Sequence, residues 1–482
     1  MRVLLISTYD LGRQPLGLAA PAARLRAAGV VVDCVDTSRD ELRDEQIRSA
    51  DLVAFYLPMH TATRLAGPLV DRVRALHPAA ALAAYGLYAP LNRVWLRDKG
   101  VSHVLGAEAE REILELVERP VQPVDRLRAV AGNVEGQKDR RYDPQGRPGD
   151  PWDRSQIPDR STLPPLSRYA ALQMPDGSRR VVGSTDTTRG CKHVCRHCPI
   201  VPVYHGRFTA IPVDAVIEDV RSQVTAGAQH ISFGDPDFFN GPTHGRRVVE
   251  RVAHEFPSLT YDVTIKIEHL LKHAAMLPLL RDTGCLFITS AVESIDDDVL
   301  ARLQKGHTCA DFIAAVEICR SAGVALAPTF VPFTPWTTID GYRELLTCIA
   351  TLDLVEAVAP IQLAIRLLVT AESKLLELAD IGDAVDPFDP TSLTFPWRHR
   401  DSQVDRLQQD VMRIVGTASR GRRADVFARI ADAAGVTTLP RFHDGSRDMS
   451  RDLSSEASLV PPYMTEAWYC CAEPGPEQVD LV

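Results

Sequence analysis

Short apolar runs alternate with amphipathic stretches through the first 120 residues. The stretches PAARLRAAG and AGPLVDRVRALH have the apolar spacing of helices. The runs that predict strands are RVLLIS, VVVDCVD, DLVAFYLP, AALAAYG and VSHVLG. Strands that alternate with helices of this length predict βαβ units, so we expect residues 1–120 to form a doubly wound, Rossmann-like parallel sheet. Such sheets bind ligands beyond the carboxyl ends of their strands, here residues 7–16, 57–60 and 86–88.

A second alternating series occupies residues 181–382. Helical segments lie between its strand predictions, which are RRVVGST, HISFGD, TYDVTIKI, CLFITSAVE, ALAPTFVP and VAPIQLAIRL. Six βα units in a row predict a partial (β/α)6 barrel whose active site lies at the carboxyl ends of the strands.

Two further regions complete an α/β protein. Residues 121–180 are rich in Pro, Gly and charge without sustained periodicity, which predicts an extended linker. Residues 383–482 are mixed: DSQVDRLQQDVMRIVGTA and RADVFARIADAAG predict helices, and the last stretch is irregular.

Length and charge exclude some classes of protein. A chain of 482 residues predicts two or three domains, and 45% hydrophobic with 24% charged residues excludes wholesale disorder. A net charge of −9 argues against a nucleic-acid partner. No apolar run is long enough to span a membrane, and the opening run is too short for a secretory signal. We therefore expect a cytoplasmic protein with reduced thiols.

The ten cysteines fall into two classes. Five stand singly in apolar or periodic segments and are interpreted as small core residues: Cys34, Cys285, Cys309, Cys319 and Cys348. The other five are clustered in GCKHVCRHCP and in WYCCAEP near the end of the chain.

Cys191, Cys195 and Cys198 share one short loop directly after the first predicted barrel strand. Three thiolates can each bind one iron of a 4Fe–4S cluster and leave the fourth iron without a protein ligand. The alternative is a structural zinc loop, in which His193 or His197 supplies the fourth ligand.

The spacing CxxxCxxC resembles that of the radical S-adenosylmethionine (radical SAM) superfamily, and the resemblance covers about residues 180–380. It implies an enzyme that holds a 4Fe–4S cluster with S-adenosylmethionine on its open iron. It also implies reductive cleavage of the sulfonium and an electron donor such as a reductase or flavodoxin. His197 stands where the superfamily commonly has an aromatic residue beside the adenine.

Further cofactor-binding residues follow from the same resemblance, each near the end of a later strand. Gly234, Asp235 and Asp237 resemble the glycine-rich turn that receives the amino group of S-adenosylmethionine, although the same residues also suit an ordinary surface turn. The remaining predicted residues are Lys266 and Glu268 after the third strand, Glu293, Ser294 and Lys305 after the fourth, and Gln362 and Arg366 on the last. An inward Arg366 needs an anion, either the cofactor carboxylate or a structural ion pair to a barrel Glu.

The N-terminal region resembles the cobalamin-binding subgroup of the superfamily in VLGAEAEREILELVE and in the linker LPPLSRYA. The DxHxxG motif that supplies an axial His is absent, because the first loop reads TYDLGRQPLG. The domain therefore either binds cobalamin without a His ligand or only caps the barrel.

The tail TEAWYCCAEP resembles that of a radical SAM family described by its CUAEP or CCAEP ending. Adjacent thiols suit a thiophilic species such as trivalent arsenic, or a redox role as a vicinal disulfide. Cys470 and Cys471 are therefore the predicted catalytic residues.

Three functions remain open at this point. The first is transfer of a methyl or 3-amino-3-carboxypropyl group from S-adenosylmethionine to a thiophilic small molecule, such as trivalent arsenic, in natural-product biosynthesis. The second is cobalamin-dependent methylation of carbon in a small molecule. The third is a metal-binding sensor that uses both cysteine clusters.

Overall fold

The computed structural model describes residues 1–118, 156–417, 421–437 and 459–466. The strands in these ranges are β1 (Arg2–Ser7), β2 (Val31–Asp36), β3 (Leu52–Tyr56), β4 (Ala81–Tyr85), β5 (His103–Val104), β6 (Ala171–Gln173), β7 (Arg179–Thr185), β8 (Thr188–Gly190), β9 (Phe208–Ala210), β10 (His230–Phe233), β11 (Thr260–Thr264), β12 (Cys285–Glu293), β13 (Ala325–Phe330) and β14 (Tyr463–Met464).

The α-helices in the same ranges are α1 (Leu16–Ala27), α2 (Asp44–Ser49), α3 (His60–Leu76), α4 (Tyr88–Leu91), α5 (Arg93–Asp98), α6 (Glu110–Glu118), α7 (Val201–Tyr204), α8 (Val213–Thr225), α9 (Pro242–Glu255), α10 (Ile267–Lys272), α11 (Leu277–Asp282), α12 (Asp297–Leu303), α13 (Cys309–Ala322), α14 (Ile339–Thr351), α15 (Ala379–Gly382), α16 (Ser402–Thr417) and α17 (Arg423–Ala433). Short 3₁₀ helices lie at Leu166–Arg168, Phe238–Asn240, Ala274–Met276, Pro360–Leu363 and Lys374–Glu377.

The N-terminal sheet has the order β2-β1-β3-β4-β5, and all its pairs are parallel. Side chains alternate along β1: Leu4 and Ile6 enter one hydrophobic core, and Val3 and Leu5 enter a second. A strand buried on both faces is what a doubly wound sheet requires. The predicted Rossmann-like fold is confirmed.

The second sheet has the order β13-β12-β11-β10-β7-β6-β14. The five strands from β7 to β13 pair in parallel, and the helices between them cover one face. Along β10, Ile231 and Phe233 enter that helix-covered core, whereas His230 and Ser232 point to the concave side and bond Asp262 of β11. The sheet is thus a curled half-barrel with a polar interior.

Two sequence predictions need correction in this region. The predicted sixth strand, VAPIQLAIRL, is a 3₁₀ helix at Pro360–Leu363 followed by an isolated bridge between Phe333 and Arg366. The predicted linker also contains β6, which pairs antiparallel with β7 at the sheet edge. Both segments depend on which neighbouring strand is available, and local pattern does not encode this.

The C-terminal region packs against the barrel. Helices α16 and α17 have the ranges that their apolar spacing predicted, and Val404, Val411 and Phe427 enter the barrel core. The short strand β14 pairs with β6. None of the described helices is both long and apolar enough to cross a membrane.

Candidate active site at the barrel mouth

The loop that carries Cys191, Cys195 and Cys198, termed the cluster loop, begins directly after β8. Gly190, the last residue of β8, has φ +82°, and a Cβ there would lie 2.4 Å from the ring of Tyr204 and 2.5 Å from the carbonyl oxygen of Arg207. Only glycine fits this left-handed, crowded position without strain. The chain therefore turns sharply into the cluster loop.

One side of the cluster loop is held by the segment after β10. The backbone N–H of Lys192 donates to Oδ1 of Asn240 at 3.2 Å, and Nδ2 of Asn240 donates to the carbonyl of Gly190 at 3.2 Å. Nε2 of His193 lies 3.0 Å from Oδ2 of Asp237. Asn240 and Asp237 are almost fully buried, so these bonds are shielded from water.

The other side of the cluster loop is held by the segment after β12. The backbone N–H of Arg196 donates to the carbonyl of Leu303 at 3.0 Å. Nε2 of His197 lies 3.1 Å from Oε1 of Glu293, and Nζ of Lys305 donates to the same oxygen at 3.3 Å. The structure thus brings together three residues that the sequence had placed in the site separately.

Glu293 keeps a buried negative charge at this point. Burial alone would raise its pKa, but Lys305 and His197 outweigh that effect and lower the pKa to about 2. The residue also has φ +69°, at a register shift between β12 and β13. Strained backbone of this kind gathers at functional sites, where the surroundings hold it in place.

The residues of the predicted turn after β10 make their contacts with other residues of the protein. The carboxylate of Asp235 accepts hydrogen bonds from the N–H and hydroxyl groups of Thr187 and Thr188, at 2.5–2.9 Å. A Cβ on Gly234 would lie 2.4 Å from Oδ1 of Asp186. Asp235 therefore fixes the segment that leads to the cluster loop, and the close approach that requires glycine is made by a side chain of the protein.

Three other predicted residues lie around the same opening. Nζ of Lys266 lies 3.2 Å from Nδ1 of His193 and 3.4 Å from Glu268, whose side chain is 44% exposed. The hydroxyl of Ser294 accepts from the N–H of Asp296 and so shapes the turn before α12. Lys266 and Glu268 thus reach the cluster loop, whereas Ser294 has a local structural role.

Gln362 and Arg366 do not form the inward-facing pair that a regular strand would give. Oε1 of Gln362 accepts from the N–H of Phe330 at 3.2 Å. Arg366 donates to Asp405 at 2.8 Å and to the carbonyl of Trp397, and its guanidinium stacks on the Trp397 ring. Arg366 thus has an ion pair within the protein, and its partner is Asp405 of α16 and not a barrel Glu.

The cluster loop does not form a zinc site in the described part of the chain. Zinc needs four ligand atoms packed around one point. The one group of three or more such side chains in the described ranges is His193, Asp237 and His269, which contains no cysteine. His197 is bonded to Glu293 instead. Three cysteines without a convergent fourth ligand fit the larger 4Fe–4S cluster better.

The remaining described cysteines are free thiols. Cys285 and Cys319 are buried, as core residues should be, and Cys34, Cys309 and Cys348 are partly exposed. Cys470 and Cys471 lie outside the described residues. The described segment before them ends at Glu466, which pairs with Arg39 of the N-terminal domain at 3.0 Å and contacts Gly12.

A polar cluster lies between the first loop of the N-terminal domain and the start of the barrel. Its members are the partly exposed side chains of Asp10 and Tyr56 on one side and Asp186 and Tyr204 on the other, and the charge of Asp186 acts on the other three. No described residue donates a hydrogen bond to the Asp10 carboxylate, and burial, with Asp36 and Asp186 nearby, raises its pKa to about 7 despite Arg13. Partly exposed acceptors that stand together fit a ligand with several hydrogen-bond donors.

An ion pair and a hydrogen bond join the N-terminal domain to the barrel beside this polar cluster. Arg189, two residues before Cys191, pairs with Glu110 of α6 at 2.6 Å. Arg13 reaches from the first loop to Ser232 inside the half-barrel at 3.1 Å. The sequence pattern missed Asp10, Arg13 and Arg189, because a polar residue in a loop carries no signal of its distant partner. Asn240 was missed as a site residue for the same reason, and His193 had been considered only as a zinc ligand.

Residues 185–341 match the model of the Radical SAM superfamily. The chain contains a radical SAM domain. This domain begins at the last residue of β7 and includes the cluster loop and the strands through β13. The sequence resemblance drawn from Cys191, Cys195 and Cys198 is thereby confirmed at the level of the superfamily.

Curated relatives of the radical SAM domain have several functions. A tRNA-2-methylthio-N(6)-dimethylallyladenosine synthase of Chlorobium phaeobacteroides is 24% identical over 151 residues, which cover 30% of this chain and 34% of that protein. A hopanoid C-3 methylase of Methylococcus capsulatus is 24% identical over 153 residues, 32% of this chain and 29% of that protein. The chain therefore matches about a third of the length of these relatives.

Two solved structures share the fold beyond the radical SAM domain. The cobalamin-dependent S-adenosylmethionine radical enzyme OxsB, solved with aqua-cobalamin, matches 90% of this chain and 71% of its own, with a TM-score of 0.68 and 12% identity. The methyltransferase TsrM of Kitasatospora setae, solved with cobalamin and a 4Fe–4S cluster, matches 73% and 70%, with a TM-score of 0.57 and 18% identity. At these identities the likeness establishes the fold.

Proposed function

We propose that the protein is a radical SAM transferase that holds a 4Fe–4S cluster through Cys191, Cys195 and Cys198. The observation that carries this proposal is the cluster loop, held from both sides at the mouth of the half-barrel. When bound, the cluster supplies the single electron that breaks a carbon–sulfur bond of S-adenosylmethionine homolytically. Burial raises the pKa of the Cys191 thiol to about 11, so iron must displace its proton on binding.

The chain's own residues keep the loop and its charges in place. Glu293 fixes His197, the neighbour of Cys198, and its charge balances Lys305. Lys266 offers a cation for a carboxylate at the same opening, and the partly exposed Glu268 offers an anion for an ammonium. These are the two charged groups that the amino-acid end of S-adenosylmethionine carries.

The polar cluster offers a place for a second cofactor. Cobalamin carries several amide side chains, and the polar cluster offers the acceptors Asp10, Asp186, Tyr56 and Tyr204. When bound, it supplies a methyl carrier between S-adenosylmethionine and a substrate. His60, the first residue of α3, already donates from Nε2 to the Ser392 carbonyl, so the polar cluster suits cobalamin without a His ligand from this position. Cobalamin-dependent methyl transfer to a small molecule is the function that the geometry favours.

The nucleoside product tests this proposal. The full-length chain is reconstituted anaerobically with iron and sulfide, reduced, and given S-adenosylmethionine. 5′-Deoxyadenosine together with S-adenosylhomocysteine is expected for cobalamin-dependent methylation. Absence of any cleavage, with zinc in the protein, would leave only the metal-sensor alternative. A reductase or flavodoxin as the natural electron donor stays a prediction, which reduction assays with purified donors would test.

Cobalamin binding is measured separately from turnover, by the absorbance of cobalamin that stays with the protein after gel filtration. Asp10→Leu with Asp186→Leu is expected to lower the retained cobalamin at least tenfold. The matched control is Asp71→Leu, a surface carboxylate paired only with Lys99. Equal retention in all variants would mean that the N-terminal domain only caps the barrel.

A second candidate function is alkylation of a thiophilic acceptor, such as trivalent arsenic held by Cys470 and Cys471, in natural-product biosynthesis. The anchored segment before the tail favours it, because β14 and the Arg39–Glu466 pair fix the chain beside the first loop, next to Arg13. Three residues lie between Glu466 and Cys470, so the four steps from one to the other span at most about 14 Å.

This second function has its own product and its own variants. With arsenite present, 5′-methylthioadenosine is expected if the 3-amino-3-carboxypropyl group moves, and S-adenosylhomocysteine if the methyl group moves. Cys470→Ser and Cys471→Ser are each expected to abolish the arsenic product, whereas Cys34→Ser, in the N-terminal sheet, is expected to retain it. An arsenic product that survives both tail substitutions would contradict the proposal.

A further inference from the structure

Four side chains form a buried polar chain against the cluster loop. Nζ of Lys266 lies 3.2 Å from Nδ1 of His193, Nε2 of His193 lies 3.0 Å from Oδ2 of Asp237, and Oδ2 of Asp237 lies 2.6 Å from Nδ1 of His269. Asp237 and His269 are each 1% exposed, and Lys266 is 9% exposed. This polar chain joins the ends of β10 and β11 to His193, which lies midway between Cys191 and Cys195 in the sequence.

The hydrogen-bond pattern assigns the charges of this chain. An ammonium is only a donor, so Nδ1 of His193 accepts from Lys266 and Nε2–H donates to Asp237. Oδ1 of Asp237 accepts from the N–H of Phe239 at 3.0 Å. Burial would raise the pKa of Asp237, but His193 and His269 outweigh it and lower the pKa. His193 is therefore neutral between a cation and an anion.

Both charges lie beside the cluster loop. Lys266 and Asp237 both contact His193, which is two residues after Cys191 and two residues before Cys195. A reduced cluster carries one more negative charge than an oxidised one. A nearby cation therefore favours the reduced form, and a nearby anion favours the oxidised form.

We propose that Lys266 and Asp237 set the reduction potential of the cluster from opposite sides, and that His193 is the positioning residue that holds them at fixed places. This inference rests on the proposed function, because it requires a cluster on Cys191, Cys195 and Cys198. It assigns the buried Asp237 carboxylate a role on the protein's own cluster, and gives the Lys266 ammonium that role in addition to its proposed contact with the carboxylate of S-adenosylmethionine.

The same geometry offers a mononuclear metal as the competing interpretation. The ligand atoms of His193, Asp237 and His269 all lie within 4.8 Å of one another, and Nδ1 of His269 has no partner with hydrogen-bond geometry. However, the Lys266 ammonium lies 3.2 Å from His193 and would oppose a second cation there. The polar chain satisfies Lys266 and His193 without a metal.

The test is a redox titration of the reconstituted full-length chain, followed by electron paramagnetic resonance of the reduced cluster. Asp237→Asn keeps the shape of the side chain and removes its charge, so the midpoint potential is expected to rise. Lys266→Gln is expected to lower it. A tenfold change in the ratio of reduced to oxidised cluster at a fixed potential corresponds to about 59 mV for this one-electron couple, and each shift is expected to be of this order.

Controls separate this inference from the proposed function. Glu250→Gln removes one charge from the exposed face of α9 and is expected to leave the potential unchanged. Four irons per chain in each variant show that the cluster is retained. If one variant loses the cluster, the direction of the potential shift in the other variant tests the inference. No cluster in the unmodified chain would refute the proposed function. Shifts of the same sign, no shift, or a fifth metal bound by His193 would overturn only this inference.

Discussion

Glu293 has two features that are rarely found together in a residue without a structural or functional role. It has a left-handed backbone conformation at the end of β12, and its side chain is 6% exposed with two partners for the carboxylate. Either feature alone lowers stability. Glu293 acts with Lys305 and His197 to hold the segment that carries Cys198, the last cysteine of the cluster loop.

Removal of the Glu293 charge tests this role. Glu293→Gln leaves Lys305 buried without its counter-ion, and breaking a buried pair in this way costs about 3–5 kcal/mol. We expect that decrease in the free energy of unfolding, measured by urea denaturation, together with weaker retention of iron. Glu250→Gln is the matched control and is expected to change stability by less than about 0.5 kcal/mol. Equal effects of the two variants would contradict a structural role for the Glu293 charge.

Asp10 predicts a pH dependence of stability. Its pKa is raised from 3.8 to about 7 in the folded chain, so the unfolded chain releases this proton first as the pH rises. The folded state therefore loses stability between about pH 4 and pH 7 and none above that range. Asp10→Asn removes this loss.

The comparison is made by urea denaturation at pH 5 and pH 8. The stability of Asp10→Asn relative to the unmodified chain is expected to increase by about 1–2 kcal/mol between these values, a figure below the full pKa shift because the side chain is partly exposed. Asp71→Asn should show no such change. If the stability of Asp10→Asn relative to the unmodified chain fell as the pH rises, Asp10 would be ionised at low pH and stabilised by a cationic partner.

At the scale of elements, the cluster loop is fixed by its neighbours and not by its own conformation. Its hydrogen bonds run to the segments after β10 and β12, which are 40 to 110 residues away in sequence. The conformation of the six residues between Gly190 and His197 thus depends on contacts with the segments that follow two other strands. A loop held in this way is ordered before a cofactor arrives.

Asn240→Ala tests this anchoring from the side of β10. It removes both the acceptor for the Lys192 N–H and the donor to the Gly190 carbonyl, and leaves these buried groups without partners. The free energy of unfolding is expected to fall by about 1–3 kcal/mol, and the fraction of iron retained after gel filtration should fall as well. Gln403→Ala, at an exposed position of α16, is the control. Unchanged iron retention would show that the β12 side alone suffices.

The predicted sixth barrel strand shows where the sequence pattern misled. Residues 358–367 are almost continuously apolar, and an apolar run of that length is compatible with either a strand or another buried segment. Arg366 decides the outcome, because its guanidinium bonds Asp405 and stacks on Trp397, both from the C-terminal region. Neither partner is visible in the local sequence.

At the scale of the whole molecule, the two domains are joined by charges close to the cluster loop. Arg189 pairs with Glu110, and Arg160, from the segment before β6, pairs with the buried Asp219 and bonds Gln14 of the first loop. These contacts link the N-terminal sheet directly to the residues that precede Cys191. Changes in the N-terminal domain are therefore expected to reach the cluster loop.

Glu110→Gln tests this connection by hydrogen exchange. The substitution weakens the bond to Arg189, and the amides of residues 186–191 are expected to exchange at least threefold faster, because local opening no longer has to break a charged pair. Glu115→Gln, on the same helix, removes only an exposed pair with Arg111 and serves as the control. Equal exchange in both variants would indicate that the domains are joined by apolar packing alone.

The sequence by itself determined the parts that depend on local chemistry. Periodicity gave both sheets, since apolar side chains must alternate between the faces of a buried strand and recur along a helix. The spacing of Cys191, Cys195 and Cys198 gave the cluster loop, because three thiolates on one short segment have few other uses.

Only the tertiary structure decided which distant residues meet. His197 meets Glu293, Asp237 bonds His193, and the first loop faces Asp186, although each pair is more than 40 residues apart along the chain. A polar residue in a loop looks the same whether it faces water or a buried partner. Its energy, and hence its role, depends on that partner, and folding alone brings the two together.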